Sequence, residues 1–141
     1  MRFAFDLDGT ISAAPDVWRT IMRALKAQGH DVFILTGAIL GTPGGNPPWR
    51  LNQLQTLGVL PEDYTQLVIV TVDNHPDFNV VTKQIGLKKA EFCVQQDVKF
   101  MVEDSPVYLE CIAEKSPHIV RVLVTNALKL EQLKEEVAHG R

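Results

Sequence analysis

Residues 2–10 read RFAFDLDGT, and this stretch decides how the rest of the chain is interpreted. A mostly apolar run leads directly into Asp6 and Asp8 and then into Gly9, which permits a tight change of chain direction. A short continuous apolar run is typical of a strand buried on both faces of a parallel sheet. Because such sheets carry their sites at the carboxyl ends of the strands, we expect the two aspartates to be functional.

The pattern of the first run recurs along the chain. Four further apolar runs are expected to be strands: 31–35, 67–72, 98–102 and 119–124. Helical periodicity with matching end signals predicts helices around 17–28, 51–57, 87–94, 105–112 and 130–137. Strands that alternate with helices predict an α/β doubly wound, Rossmann-like sandwich: a central, mostly parallel five-stranded sheet with helices on both faces, in one domain over 1–141.

Length and charge narrow the function classes. The chain has 141 residues, which is the size of one domain, and its formal net charge is -3, with no basic half or tail to grip nucleic acid. No apolar run approaches the length of a membrane span and no signal peptide is evident, so a cytoplasmic location is expected. Cys93 and Cys111 are then expected to be reduced core thiols rather than a disulfide.

Polar groups follow two other predicted strands. Thr36 and Gly37 follow the second strand, and Glu103 and Asp104 follow the fourth. Carboxylates from two strand ends that meet at one edge form an oxygen-rich pocket suited to Mg²⁺. Lys88 or Lys89, just upstream of the fourth strand and at the start of the third predicted helix, could supply a balancing positive charge.

With these residues in place, the chain resembles the haloacid dehalogenase superfamily of aspartate-nucleophile phosphotransferases. The segment Asp6-Leu7-Asp8-Gly9-Thr10 matches its first motif, DxDGT, and Thr36 with Gly37 matches its second. Lys89 stands where the third-motif lysine is usual, with Lys88 as an alternative, and Glu103-Asp104 matches the fourth motif.

The resemblance implies a Mg²⁺-dependent phosphatase that works through an aspartyl-phosphate. Asp6 would be the nucleophile and Asp8 the general acid and base, kept protonated by crowding from neighbouring anions. Thr36, the Gly37 N–H and Lys89 would bind and neutralise the transferring phosphate. Mg²⁺ would be held by Asp6, the Asp8 carbonyl and Asp104, with support from Glu103.

The spacing of the motifs leaves no room for a large cap domain over the site. A phosphorylated substrate, small or macromolecular, or a neighbouring subunit would then cover it. Two loops follow predicted strands at the same edge, the Gly/Pro-rich segment from residue 38 and residues 73–79. Trp49 and Arg50 at the end of the first loop, and His75 in the second, are candidate substrate contacts.

Three alternatives are weighed against the phosphatase. A receiver domain of the response-regulator type would need a Lys after the fifth strand, where Thr125 and Asn126 stand. A catalytically idle Mg²⁺-binding interaction module would have no physical reason to keep a desolvated acid cluster. A phosphotransferase or mutase would need a cap to protect its intermediate from water. Substrate identity and oligomeric state stay open.

Overall fold

The computed structural model describes residues 1–125, which form one five-stranded sheet with helices around it. All strand pairs are parallel, and the strand order is β3-β2-β1-β4-β5. The strands are β1 (Arg2–Phe5), β2 (Asp31–Ile39), β3 (Gln66–Val72), β4 (Phe100–Glu103) and β5 (Val120–Leu123). The predicted doubly wound α/β class is confirmed, and the sheet is wholly rather than mostly parallel.

Within residues 1–125, four α-helices connect the strands: α1 (Pro15–Ala27), α2 (Pro47–Thr56), α3 (Phe78–Gln95) and α4 (Pro106–Lys115). Three of them begin with proline, whose fixed φ suits a first turn. The Ser105 hydroxyl accepts a hydrogen bond from the Tyr108 N–H, as expected of an N-cap. The end signals in the sequence therefore located the start of α4 correctly.

The helices bury both faces of the sheet, which is why the strands read as continuous apolar runs. On one face, Met22 of α1 and Leu54 of α2 share a core with Phe5 and Ile34. On the other face the core joins residues of α3 and α4 to alternate strand residues, namely Ala90 and Ile112 with Ala4, Leu35 and Met101. Successive strand residues thus face opposite cores.

The topology creates a crevice where the functional residues were expected. β1 lies at the centre, with β2 on one side and β4 on the other, and Phe5 pairs with both Ile34 and Val102. The chain moves outward in one direction through β2 and β3 and then returns to place β4 on the far side of β1. Such a switch point lies beside the carboxyl ends of β1 and β4, where this class of fold forms its sites.

Several predicted boundaries are wrong. β2 continues to Ile39 instead of ending at residue 35, because it pairs with β3 over its whole second half. α3 begins at Phe78, far upstream of the predicted start, so the loop before it is limited to residues 73–77. The Gly/Pro-rich segment from residue 38 is also shorter than expected, because β2 runs to Ile39 and α2 already begins at Pro47. The helix predicted around 130–137 lies outside the described residues.

The structure bears on the expected state of the two cysteines and on the expected lack of a membrane span. Cys93 and Cys111 are both free and buried, as predicted. Among residues 1–125, no helix combines the length and the apolar character that crossing a membrane requires.

Candidate functional site

Asp6 is the first residue beyond β1 and is held in place from several directions. Its backbone N–H donates to the Val102 carbonyl at 2.9 Å, which continues the pairing of β1 with β4. Its side chain is buried, with Oδ1 2.8 Å from Lys89 Nζ and Oδ2 3.3 Å from the Thr10 hydroxyl. Both carboxylate oxygens are therefore oriented, one by a charge and one by a hydroxyl.

Lys89 is the cation at the centre of the site. It comes from the second half of α3, not from its start as the sequence predicted, and its side chain is fully buried. Nζ lies 2.8 Å from Asp6 Oδ1 and 2.8 Å from Glu103 Oε2, and 4.5 Å from the centre of the Tyr108 ring. The neighbouring Lys88 is exposed and donates to the Thr71 carbonyl. Of the two lysines that the sequence left open, Lys89 is therefore the one that reaches the acidic residues.

Burial and charge oppose each other in this cluster. Burial alone would lower the pKa of Lys89, but the carboxylates of Asp6 and Glu103 outweigh it and raise that pKa, so the ammonium stays charged. Burial also raises the pKa of the Asp6 and Glu103 carboxyls, and Lys89 opposes that rise. The acidic residues are thus crowded in a poorly solvated place where additional positive charge would be stabilising.

Glu103 anchors the lysine to the end of β4. Its side chain is fully buried, and Oε2 accepts the bond from Lys89. Oε1 accepts from the backbone N–H groups of Asp104 and Ser105, at 3.1 and 3.2 Å. These bonds satisfy the acceptor while they orient the chain as it enters α4.

The donor set fits a hard divalent cation. Asp6, Glu103 and Asp104 each offer a carboxylate oxygen, and the three oxygens lie within 4.8 Å of one another. Octahedral Mg²⁺ holds its ligand oxygens about 3–4 Å apart, so small side-chain movements would close such a shell. A divalent cation would favour the ionised form of all three acids, and together with the charged Lys89 it would bring the net charge of the cluster to zero.

Gly9 makes room for one of these carboxylates. Its φ is +81°, and a Cβ built on it would lie 2.2 Å from Asp104 Oδ2. A side chain at this position would collide with Asp104. The glycine of the DxDGT segment is therefore required both by backbone conformation and by the approach of the acidic residue.

Asp8 lies beside a cation rather than among anions, which corrects the sequence-based expectation. Arg50 Nη1 is 2.9 Å from Asp8 Oδ2, and Gln53 Nε2 is 3.1 Å from Oδ1. Arg50 was predicted to be a loop residue that contacts substrate, but it is buried and belongs to α2. It was misplaced because the Gly/Pro-rich composition before it obscured the start of the helix.

Thr36 and Gly37 lie within β2, before its end. Thr36 is buried, and a Cβ built on Gly37 would lie 2.4 Å from Ile85 Cγ2 of α3. The glycine therefore allows α3 to approach the strand closely. Both residues still face the site, because β2 extends beyond the end of β1.

A cavity of about 230 Å³ joins these groups at the carboxyl edge of the sheet. It is lined by the predicted residues Asp6, Asp8, Thr36, Gly37, Lys89 and Asp104, together with Ser105 and Tyr108. The sequence analysis did not assign the last two to the site. Ser105 is the N-cap directly after Asp104, and Tyr108 is in the first turn of α4, so their position at this helix start is the signal that could have identified them.

Besides Arg50, two other predicted substrate contacts, His75 and Trp49, do not line this cavity. His75 lies in a separate cavity of about 380 Å³ with Asn74 and Lys88, and its Nδ1 accepts the Asp77 N–H. Trp49 is exposed on α2, and its ring centre is 5.4 Å from the Arg50 guanidinium carbon. The tertiary structure therefore does not bring either side chain to the acidic cluster.

Comparison with known proteins provides structural likeness only. No family model matches the sequence, and no curated protein matches it. A chain in the structure of the Pnkp1/Rnl/Hen1 RNA repair complex aligns with a TM-score of 0.57 at 17% identity, covering 89% of this chain and 42% of that one. The crystal structure of a universal stress protein in complex with cAMP aligns with a TM-score of 0.51 at 11% identity, covering 90% and 98%. At these identities the likeness concerns the α/β fold.

Proposed function

We propose that this chain is a Mg²⁺-dependent phosphatase of the haloacid dehalogenase type, which hydrolyses a phosphate monoester through an aspartyl-phosphate on Asp6. The observation that carries the proposal is the fully buried Lys89 ammonium, bonded at 2.8 Å to both Asp6 and Glu103 beside Asp104. A stability role alone is a weak reason to bury such a cluster, because desolvation of the charges offsets their attraction. Perturbed acids in a cleft at a switch point favour catalysis.

In the first step, an Asp6 oxygen attacks phosphorus while the bond from phosphorus to the leaving oxygen breaks. The leaving oxygen takes from Asp8 the proton that Asp8 accepts from water in the second step of each turnover, and it departs as an alcohol. Lys89 offsets negative charge on Asp6 and on the transferring phosphoryl group, and Thr36 and the Gly37 N–H bind its oxygens. When bound by Asp6, Asp104 and the Asp8 carbonyl, with Glu103 in support, Mg²⁺ would neutralise charge on the phosphate.

In the second step, water attacks the phosphorus of the aspartyl-phosphate and the bond to the Asp6 oxygen breaks. Asp8, now a carboxylate, accepts the proton from the attacking water. Inorganic phosphate leaves and Asp6 is regenerated. Two displacements at phosphorus replace one more difficult displacement.

The open site favours hydrolysis over phosphoryl transfer between two positions of one substrate. Nine residues, 6–14, lie between β1 and α1, and five, 73–77, lie between β3 and α3. Neither connection can form a cap domain that would shield the intermediate from water. A catalytically idle module would bind Mg²⁺ without turnover, so an assay of phosphate release distinguishes it from the phosphatase.

The first test is hydrolysis of an aryl phosphate by the purified protein with Mg²⁺ and with excess chelator. Asp6→Asn is the matched control, because it keeps the size of the side chain and removes the nucleophile. We expect phosphate release that needs Mg²⁺ and is lost in the variant. Full turnover in Asp6→Asn would contradict the covalent mechanism, and Mg²⁺ binding without turnover of any phosphoester would favour the idle module.

A further inference from the structure

We propose that Arg50, together with Gln53, is the positioning residue for Asp8, and this inference rests on the function proposed above. The Asp8 side chain is 56% exposed, whereas that of Arg50 is only 5% exposed. An exposed aspartate without partners samples several rotamers and is a poorly aligned proton donor. A buried partner that is itself fixed can align it.

Asp8 is held at both oxygens by adjacent turns of α2. Arg50 Nη1 donates to Oδ2 at 2.9 Å, and Gln53 Nε2 donates to Oδ1 at 3.1 Å. Gln53 Oε1 also accepts from Arg50 Nη1 at 3.0 Å. The three side chains form a closed set of bonds, which specifies the plane of the Asp8 carboxylate.

Arg50 is fixed by backbone carbonyls at its other nitrogens. Nε donates to the Gly44 carbonyl at 2.8 Å and Nη2 to the Gly37 carbonyl at 3.1 Å. A Cβ built on Gly44 would lie 2.9 Å from Arg50 Nη2, so this turn needs glycine to fit around the guanidinium. The Gly/Pro-rich segment, which the proposed chemistry leaves without a role, thus encloses Arg50.

The planar guanidinium is suited to this task. It contacts Asp8, Gly37 and Gly44 at once through nitrogens whose directions are fixed, which a lysine ammonium cannot reproduce. Through the Gly37 carbonyl, Arg50 also links Asp8, which would transfer protons, to β2, which would bind phosphate. Asp8 and the phosphate-binding backbone are therefore held in register by one side chain.

The test measures turnover of two substrates by Arg50→Met, Gln53→Leu and Asp8→Asn. An aryl phosphate has a good leaving group that needs little protonation, whereas an alkyl phosphate needs the proton from Asp8. Because Asp8 also acts in the second step, which both substrates share, the comparison uses kcat/KM, which reports on the first step. For Arg50→Met we expect kcat/KM on the alkyl phosphate to fall at least about tenfold without a rise in KM, and to fall less on the aryl phosphate. Arg50→Lys should recover only part of the loss.

A double-mutant cycle separates positioning from a general structural effect. If Arg50 acts through Asp8, the Arg50→Met/Asp8→Asn double variant should be no slower than Asp8→Asn alone. Additive losses, or a rise in KM with kcat preserved, would overturn the inference. Arg19→Met is the matched control, because Arg19 interacts with Asp16 and the Gly58 carbonyl and does not line the site cavity.

Three further outcomes are distinguishable. If Arg50→Met does not fold, Gln53→Leu still removes the bond to Asp8 Oδ1, and an unchanged kcat/KM on the alkyl phosphate would overturn the inference. Wild-type protein without metal-dependent turnover would overturn the proposed function and the inference together. Active wild type with unaffected Arg50 and Gln53 variants would overturn the inference alone.

Discussion

Gly9 shows at the residue scale how backbone conformation and site chemistry depend on each other. It has a positive φ and lies against Asp104. Gly29, at the end of α1, has a similar φ of +87°, but nothing lies within 4 Å of a Cβ built there. A side chain at position 29 would therefore meet only the backbone penalty, whereas a side chain at position 9 would meet that penalty and also collide with Asp104.

We expect Gly29→Ala to lower the free energy of unfolding by about 1–2 kcal/mol, since only the left-handed conformation is penalised. Gly9→Ala should cost more than that and should abolish phosphatase activity, because its methyl group displaces Asp104. Urea unfolding and Mg²⁺-dependent turnover of both variants check this. Equal stability losses, with activity retained in Gly9→Ala, would contradict it.

The adjacent lysines of α3 provide a second comparison at this scale. Lys89 is fully buried between two carboxylates, whereas Lys88 is exposed. Lys89→Met leaves buried charge uncompensated and should lower the free energy of unfolding by about 3–5 kcal/mol while abolishing turnover. Lys88→Met is the control and should change stability by less than about 0.5 kcal/mol. Thermal unfolding and turnover of the pair test the difference.

At the scale of elements, the residue pattern of α3 explains why the start of this helix was predicted wrongly. Its buried stripe recurs at about every fourth residue and consists of Val81, Ile85, Lys89 and Cys93, with Gly86 beside it. Gly86 interrupts the apolar pattern directly before the predicted start at residue 87, and Lys89 places a charged residue within the buried stripe. Both exceptions have a structural reason: Lys89 serves the site, and Gly86 allows α4 to approach.

The contact between α3 and α4 leads to a prediction about packing. A Cβ built on Gly86 would lie 2.7 Å from Cys111 Sγ. Gly86→Ala should therefore destabilise the protein by about 1–3 kcal/mol through overpacking, despite the better helix propensity of alanine. In the Cys111→Ala background the sulfur is absent and the same change should cost much less. A double-mutant cycle by urea unfolding measures this coupling, and strict additivity would contradict it.

At the scale of the whole molecule, the two thiols report on opening of the folded state. Burial raises the pKa of Cys93 to about 12 and also raises that of Cys111. Because the thiolate is the reactive form, both thiols should react slowly with an aromatic disulfide reagent under native, mildly alkaline conditions and rapidly in urea.

The sign of the pH effect follows from the raised Cys93 pKa. The stability linked to its neutral thiol is complete below pH 9, the unfolded value, and is lost as the pH rises toward 12. Cys93→Ala should therefore lose less stability than wild type over that interval. Urea unfolding at several pH values measures this, and parallel curves for the two proteins would contradict it.

Much of the fold was predictable because local rules agree with the tertiary structure. Continuous apolar runs located all five strands, and the proline and serine signals located the start of α4. Failures occurred where distant contacts decide the outcome. β2 extends to Ile39 because β3 pairs with it. α3 starts at Phe78, earlier than predicted, and its buried stripe includes Lys89, whose partners Asp6 and Glu103 lie at the ends of other elements.

The residues proposed for the candidate site likewise include some that line its cavity and others that do not. Asp6, Asp8, Thr36, Gly37, Lys89 and Asp104 were proposed from the sequence and line one cavity. Trp49, Arg50 and His75 were chosen only because they lie in segments that follow strands at the functional edge. Side-chain direction decides such cases, and it depends on packing that local sequence does not encode.

The sequence by itself determined which chemical groups stand at the ends of which strands, because buried strands and their terminal residues are adjacent in the chain. Only the tertiary structure decided which lysine is buried and which cation contacts Asp8. Lys89 and Asp6 are 83 positions apart, and Arg50 and Asp8 are 42 apart. Such contacts arise from the order of strands and the orientation of helices, and both depend on how the whole chain buries its apolar surface.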